Sequence, residues 1–188
     1  MLSRFRLVAT GCRTAVALLI SAALLISPST SAVRAAPAAQ VPLCVAGNWR
    51  ATNLDETFRA LFGNSSSFQV ESVSGDVGLS IGLDGSYEIR YSGFNLNGNM
   101  GPAVGPFAMG MDGSIRGRFR ESQPGALTSS ITDSSVTTTT TMMGNTTTDS
   151  TPIQMEESDA VSYDCDLGSL SFSVGTERPF TLRFTRTL

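Results

Sequence analysis

Carboxylates are the side chains of this chain best suited to catalysis or metal binding, because the 188 residues include no histidine. Two acidic clusters are present, Glu156-Glu157 and Asp164-x-Asp166. A carboxylate pair can hydrolyse a glycosidic bond, and Asp-x-Asp can begin a calcium loop. The rest of a calcium loop does not follow, however, and without histidine no Ser/His/Asp or Cys/His set can form. We interpret both clusters as solvated loop acids and expect no enzyme activity.

Methionine and arginine form two further patterns. Met109-x-Met111 and Met142-Met143 offer thioethers that suit Cu(I), but methionine is more often a filler of irregular core gaps. We therefore expect no metal and no cofactor. A stripe of arginines at every second position could bind a carboxylate or phosphate, but it fits better as a solvated outer face that pairs with acids such as Glu88 and Glu121. The stripe consists of Arg116, Arg118 and Arg120.

Apolar side chains at alternate positions are the candidates for binding a small apolar ligand. They share the inferred inward faces of successive strands: Tyr87, Ile89, Tyr91, Phe107, Met109, Met111, Ile115 and Phe119. A small barrel can enclose one small ligand, but its interior can equally be filled by its own side chains. Gly105 and Gly117 lie on the same faces and would leave room for a ligand.

The first 35 residues predict a signal peptide. Arg4, Arg6 and Arg13 precede an apolar run over residues 15–26, and small residues follow. That run is too short to span a bilayer, which needs about 20 residues. The remaining chain carries nine arginines, no lysine and sixteen acidic residues, a net charge of −7. We expect a secreted or cell-envelope bacterial protein, monomeric, with no nucleic-acid partner and no stable membrane insertion after signal cleavage.

Two cysteines remain after signal cleavage, Cys44 and Cys165. Because an exported chain meets an oxidising compartment, we predict that they form a disulfide. Residues 36–43 before it are expected to be a flexible lead, and residues 44–188 a single domain.

Short alternating segments predict an all-β domain. The first strand is expected over Val45–Thr52, followed by a helix over Leu54–Phe62 that Asn53 caps. Asp84-Gly85 and Asp112-Gly113 each predict a hairpin turn.

The rest of the chain contains one loop-like and one threonine-rich region. Gly93–Gly105 is predicted to be a loop. Residues 122–152 are rich in serine and threonine, and Thr137–Thr141 is either a linker or, as we prefer, a strand. In the strand interpretation Gly144–Pro152 is a loose turn and Ile153–Cys165 the partner strand. The total of eight to ten strands and one helix favours an antiparallel up-and-down barrel.

The two ends of this domain resemble the calycin superfamily, which includes lipocalins, fatty-acid-binding proteins and avidins. The resemblance rests on Gly47-Asn48-Trp49 and on an arginine in the last strand. It implies that Trp49 packs in the closed end of the barrel against Arg186, with Arg183 as the alternative. Cys44 and the ending over residues 184–188 look most like avidin, yet a biotin site of that type needs several tryptophans and this chain has one.

A helix after the first strand is more similar to the fatty-acid-binding group, and the chain as a whole resembles secreted bacterial lipocalin-like proteins. The expected function is that of an exported, non-catalytic protein that binds a small apolar molecule. The alternative is a solid barrel that contacts an envelope or extracellular partner.

Overall fold

The structure is a computed structural model that describes residues 41–62, 68–150, 152, 160–174 and 180–187. The predicted signal peptide lies outside these ranges, as do Glu156-Glu157 and Ile153. The described chain forms ten strands and one helix. In chain order they are β1 Gly47–Ala51, α1 Leu54–Phe62, β2 Gln69–Ile81, β3 Ser86–Asn99, β4 Pro106–Gln123, β5 Ala126–Ser134, β6 Thr137–Met142, β7 Asn145–Asp149, β8 Val161–Cys165, β9 Ser169–Val174 and β10 Phe180–Arg186.

Eight of these strands close an antiparallel barrel. Around the ring each strand pairs with the next in the order β1, β2, β3, β4, β5, β8, β9, β10, and β10 pairs with β1. The two extra strands, β6 and β7, form a hairpin that joins the sheet along the first half of β4. The predicted all-β antiparallel barrel with a short helix after the first strand is therefore confirmed.

The prediction of a second hairpin turn at Asp112-Gly113 is wrong. β4 runs without interruption for 18 residues through this dipeptide. Gly113 has φ +120°, and a Cβ there would meet Ser135 O at 2.1 Å, so glycine is required where the partner of β4 changes from β6 to β5. The Asp112 carboxylate accepts a hydrogen bond from Gly93 N at 2.7 Å. Asp-Gly here marks a kink within a strand, whereas Asp84-Gly85 does form the β2–β3 turn, with φ +80° at Gly85.

The predicted loop over Gly93–Gly105 is mostly strand. β3 continues to Asn99, because one extra residue between Tyr91 and Phe94 forms a bulge against β4 and shifts the alternation by one. Glycine at position 93 adopts φ +56° within this bulge. Only the segment between Asn99 and Pro106 connects the two strands.

Threonine forms strand β6 over Thr137–Met142, as preferred from its β-propensity. Its partners differ from the prediction. β6 pairs with β4 and with β7, which occupies most of the predicted turn over Gly144–Pro152. Only Val161–Cys165 of the predicted partner is a described strand, and it pairs with β5 and β9 instead.

The helix has the predicted bounds, but Asn53 does not cap it with its side chain. The Asn53 amide donates to Thr181 O at 2.8 Å, and its Oδ1 accepts from Arg183 N at 2.7 Å. Asn53 thus continues the backbone pairing of β10 where β1 has ended. Arg59 donates to the carbonyls of Val70 and Glu71 at 2.7 Å each, which holds α1 on β2.

The disulfide between Cys44 and Cys165 is present, with the two Cα atoms 5.7 Å apart. It joins the chain just before β1 to the end of β8, at the end of the barrel opposite α1. Val41, which the sequence assigns to a flexible lead, is buried there. Among the described residues, no helix has the length and apolarity needed to cross a bilayer.

Candidate functional site

The eight predicted ligand-contacting residues all belong to the interior of the barrel. Seven of them are buried and Phe119 is half-buried, and all pack in one apolar cluster. Ile89 and Ile115 are register partners, as are Leu96 and Met109. The structure therefore brings the predicted set together on one continuous inner surface. Whether that surface holds a ligand remains a prediction.

The interpretation of Gly105 and Gly117 as space for a ligand is wrong. A Cβ at Gly117 would lie 2.6 Å from the Tyr87 ring and 2.0 Å from Ser130 O, so Tyr87 already occupies this space. Gly105 belongs to the β3–β4 connection, where its φ of +78° suits a turn. Gly117 therefore accommodates the Tyr87 ring and the Ser130 carbonyl, and Gly105 serves the backbone geometry of a turn.

A chain of aromatic rings crosses the interior. Tyr87 stacks on Phe119 at 4.3 Å between centroids, Phe119 on Phe172 at 5.7 Å, and Phe172 meets Phe184 edge-on at 6.0 Å. Phe172 and Phe184 were not among the predicted site residues. The sequence signal for them was their spacing, since each lies two residues after a leucine, Leu170 or Leu182. Residues two apart in a strand face the same side of the sheet.

A second aromatic cluster lies under the helix. Phe58 of α1 contacts Phe94 at 5.3 Å, Phe62 contacts Phe68 at 4.9 Å, and Phe68 meets Phe107 at 5.5 Å. Buried aromatic pairs of this kind contribute about 0.5–1.5 kcal/mol each beyond their area. The helix therefore covers this end of the barrel with a packed aromatic layer.

The opposite end contains the expected tryptophan–arginine pair. Trp49 and Arg186 are register partners in β1 and β10, and the guanidinium carbon lies 4.4 Å from the ring centroid. Trp49 Nε1 donates to Val45 O at 2.9 Å, and Arg186 donates to Cys44 O at 3.2 Å. A Cβ at Gly47 would lie 2.6 Å from the guanidinium, which explains the glycine of the Gly-x-Trp motif. Arg183 faces outward and pairs with Glu56 at 3.4 Å.

Hydroxyl groups of β3 and β5 interrupt the apolar interior of the barrel. Tyr87 shares a hydrogen bond with Ser129 of β5, and burial raises the pKa of Tyr87 to about 12 against the opposing effect of that bond. Burial also raises the pKa of Tyr91, and the neighbouring Tyr87 adds to the effect. Both phenols are therefore neutral at physiological pH. Ser134 lies opposite Ile115 on the inner face, is 8% exposed, and its buried Oγ has no hydrogen-bond partner in the part of the chain that the structure describes.

The wall of the barrel formed by β5 and β8 has the shortest strand pairing in the barrel. β5 and β8 share two register pairs, Ala126 with Ser162 and Leu127 with Val161. Beyond Leu127 no described strand pairs with this edge of β5. Ile131 and Phe119, which face inward here, are only half-buried. The wall is therefore the least enclosed part of the described interior.

The charged candidates lie outside the barrel. Arg116 pairs with Glu88 at 2.9 Å and with Asp133 at 3.6 Å, and Arg118 pairs with Asp84 at 3.8 Å, so two of the three arginines form ion pairs on a solvated face. Within the described ranges Arg120 has no ion pair, and Glu121 accepts a hydrogen bond from Tyr163 instead.

The remaining acids and methionines have structural surroundings. Asp166 accepts hydrogen bonds from Gly168 N at 2.7 Å and Ser169 N at 2.6 Å, which shape the β8–β9 turn and lower the pKa of this carboxyl. Met109 and Met111 lie in the core, and Met143 is exposed at the tip of the β6–β7 hairpin. No group of three Cys, Asp or Glu side chains with metal-binding geometry occurs among the residues described.

Comparison with known protein families, with curated proteins and with solved structures found no match to this chain.

Proposed function

We propose that this chain is an exported, non-catalytic, calycin-like barrel that binds a small apolar molecule in its interior. The closed antiparallel barrel and the Trp49–Arg186 pair at one end support the calycin-like assignment. The predicted signal peptide and the Cys44–Cys165 disulfide support export.

The observation that carries this proposal is the hydroxyl of Ser134. Buried polar groups in folded proteins are nearly always hydrogen-bonded, because an unpaired one costs about 1–3 kcal/mol. Ser134 Oγ is buried without a described partner, on the inner face of the wall where β5 and β8 barely pair. A ligand with a polar atom would supply the missing bond.

The surroundings of Ser134 define the ligand class. The inward side chains around it are aliphatic or aromatic, and the nearby phenols are neutral. A charged ligand group would remain unpaired there at high cost. The favoured ligand is therefore neutral and mostly apolar, with one hydroxyl or carbonyl.

Native mass spectrometry of the oxidised mature protein from its secretion host tests this proposal. We expect a bound mass that is lost on denaturation and that can be taken up again from a lipid extract. Ser134→Ala should weaken uptake about tenfold, as for the loss of one hydrogen bond of about 1.4 kcal/mol. Thr132→Ala, on the exposed outer side of the same strand, is the control and should not change uptake. An apo mass with no uptake from the extract would reject the carrier function.

A second function is supported by the β6–β7 hairpin. All five residues of β7 are exposed, and they extend the sheet beyond the closed ring. The protein would then be a solid barrel that contacts an envelope or extracellular partner through this surface, and it would not need an internal ligand.

A further inference from the structure

The outer surface of the sheet is divided into a charged half and an uncharged half. Five of the seven ion pairs among the described residues lie on the barrel half nearest the β2–β3 turn. Glu88 and Arg116 are at the centre of this network. At the other half, the outward register positions of β3, β4, β6 and β7 carry no charge, and the one charged residue of β2 there is the exposed Glu71, at the bulge between Val70 and Ser72.

We call these positions the uncharged face. They form two rows across strands β2, β3, β4, β6 and β7, each set by the register of the sheet. One row is Ser72, Asn97, Ala108, Thr141 and Thr146, and the other is Ser74, Asn95, Gly110, Thr139 and Thr148. Leu96 and Met109, which alternate with these residues, are buried, so the rows point away from the core.

We call the line of small residues in the middle of the uncharged face the trough. Ala108 and Gly110 of β4 have the smallest side chains, and asparagines and threonines stand on either side. A Cβ at Gly110 would lie 3.2 Å from Asn95 Oδ1, so a larger residue would crowd the asparagine side of the trough. Asp112 is next along β4 and marks the border with the charged half.

The polar groups of this face form a regular array. Thr141 and Thr146 hydroxyls are 2.9 Å apart, Thr139 and Thr148 hydroxyls are 3.5 Å apart, and Asn97 donates to Ser72 at 3.1 Å. Strands repeat about every 4.8 Å across the sheet, and side chains on one face about every 6.7 Å along it. Each hydroxyl and amide retains further donor or acceptor capacity for a partner.

Several classes of partner are disfavoured by this composition. The face has no cation for nucleic acid or an anionic polymer. It also has no aromatic or large apolar side chain, whereas the core of a protein–protein interface is apolar and enriched in aromatic residues. A lipid surface would leave the amides and hydroxyls unpaired.

We propose that the uncharged face binds a neutral polysaccharide, which lies along the trough and exchanges hydrogen bonds with the asparagine and threonine walls. This inference rests on the second function proposed above, an extracellular interaction protein, and is independent of whether the interior holds a ligand.

The test is co-sedimentation of the oxidised mature protein with insoluble cellulose, chitin and yeast mannan–glucan particles. We expect retention by at least one of them that is unchanged between 0.1 and about 1 M NaCl, because screening acts only on charge. Ala108→Arg and Thr148→Arg, which place a long side chain on the uncharged face, should each reduce retention at least tenfold. Thr147→Arg is the matched control, since it changes the neighbouring exposed residue on the opposite face of the same strand and should leave retention unchanged.

Three results would overturn the proposal. The first is no retention on any neutral particle, and the second is equal loss in Thr147→Arg and Thr148→Arg at unchanged thermal stability. The third is a dimer in analytical ultracentrifugation that Thr148→Arg dissociates, since this would assign the face to a second copy of the chain. That third result would leave the interaction function standing without the polysaccharide, and native mass spectra of the same sample would report separately on the internal ligand.

Discussion

Removing the Ser134 hydroxyl should stabilise the ligand-free protein. Most core substitutions destabilise a fold by about 0.5–3 kcal/mol. Ser134→Ala should do the opposite, because Oγ is buried without a described partner and opposite the apolar Ile115. The same change should weaken ligand uptake, so stability and binding are expected to move in opposite directions.

The magnitude follows from the two states of the hydroxyl. In the unfolded chain Ser134 bonds to water, and folding removes those bonds without replacing them at a cost of about 1–3 kcal/mol. Alanine avoids this cost but leaves a small void, so we expect a net gain of about 1 kcal/mol in the free energy of unfolding. With a urea m-value of about 2 kcal/mol/M, the midpoint should rise by about 0.5 M.

The assay is urea denaturation of delipidated protein, followed by the fluorescence of Trp49, the only tryptophan. Ser129→Ala provides the matched comparison, because Ser129 on the same inner face bonds the Tyr87 hydroxyl. It should lower the free energy of unfolding by about 1–2 kcal/mol by leaving that phenol unpaired. If Ser134→Ala is destabilising by a similar amount, then Ser134 has a partner in the empty protein and the basis of the carrier proposal is refuted.

Three further perturbations test the barrel itself. Reducing the Cys44–Cys165 bond, which spans 121 residues of sequence, should lower the free energy of unfolding by about 5 kcal/mol in the chain-entropy model. Denaturation curves with and without reductant measure this difference, and a change below about 1 kcal/mol would contradict the prediction. Gly117→Ala should lower the free energy of unfolding by about 2–3 kcal/mol, because its Cβ would meet Tyr87 and a backbone oxygen at 2.6 Å or less. Gly78→Ala is the control and should be nearly neutral, because its Cβ would meet nothing closer than 3.9 Å. Equal shifts in melting temperature for the two variants would refute this packing. Because the pKa of Tyr87 is raised to about 12 from 10, its contribution of about 2–3 kcal/mol is fully present below pH 10 and lost as pH rises to about 12. Absorbance at 295 nm should therefore show that Tyr87 and the equally buried Tyr91 ionise only with unfolding, and a freely titrating Tyr87 near pH 10 would contradict the burial.

Features set by local residue chemistry could be predicted from the sequence. The helix over Leu54–Phe62 has an apolar stripe at helical spacing and ends before Gly63. The inward residues of β3 up to Tyr91, and those of β4, follow from alternation. The disulfide follows from the two cysteines of the predicted mature chain, whose pairing the predicted export would favour.

Features that depend on long-range pairing could not be predicted in the same way. Asp84-Gly85 and Asp112-Gly113 are the same dipeptide between alternating segments, yet only the first forms a turn. The difference lies in the partners, because Gly113 faces Ser135 O at the point where β5 gives way to β6. Nothing near residue 113 in the sequence indicates that contact. Ser134 was missed for the same reason, since its neighbour Ile115 is distant in sequence.

The bulge at Gly93 links the core to the uncharged face. Apolar positions in β3 are odd-numbered up to Tyr91 and even-numbered from Phe94, and this change of parity indicates a one-residue bulge. Without the bulge, the residues after Ser92 would be turned to the opposite side of the sheet, with Phe94 and Leu96 outside and Asn95 and Asn97 in the core. Asp112 secures the bulge by accepting the Gly93 N–H, and it lies at the border of the uncharged face. The one-residue bulge that turns aromatic side chains into this end of the barrel therefore also places amide side chains on its outer surface.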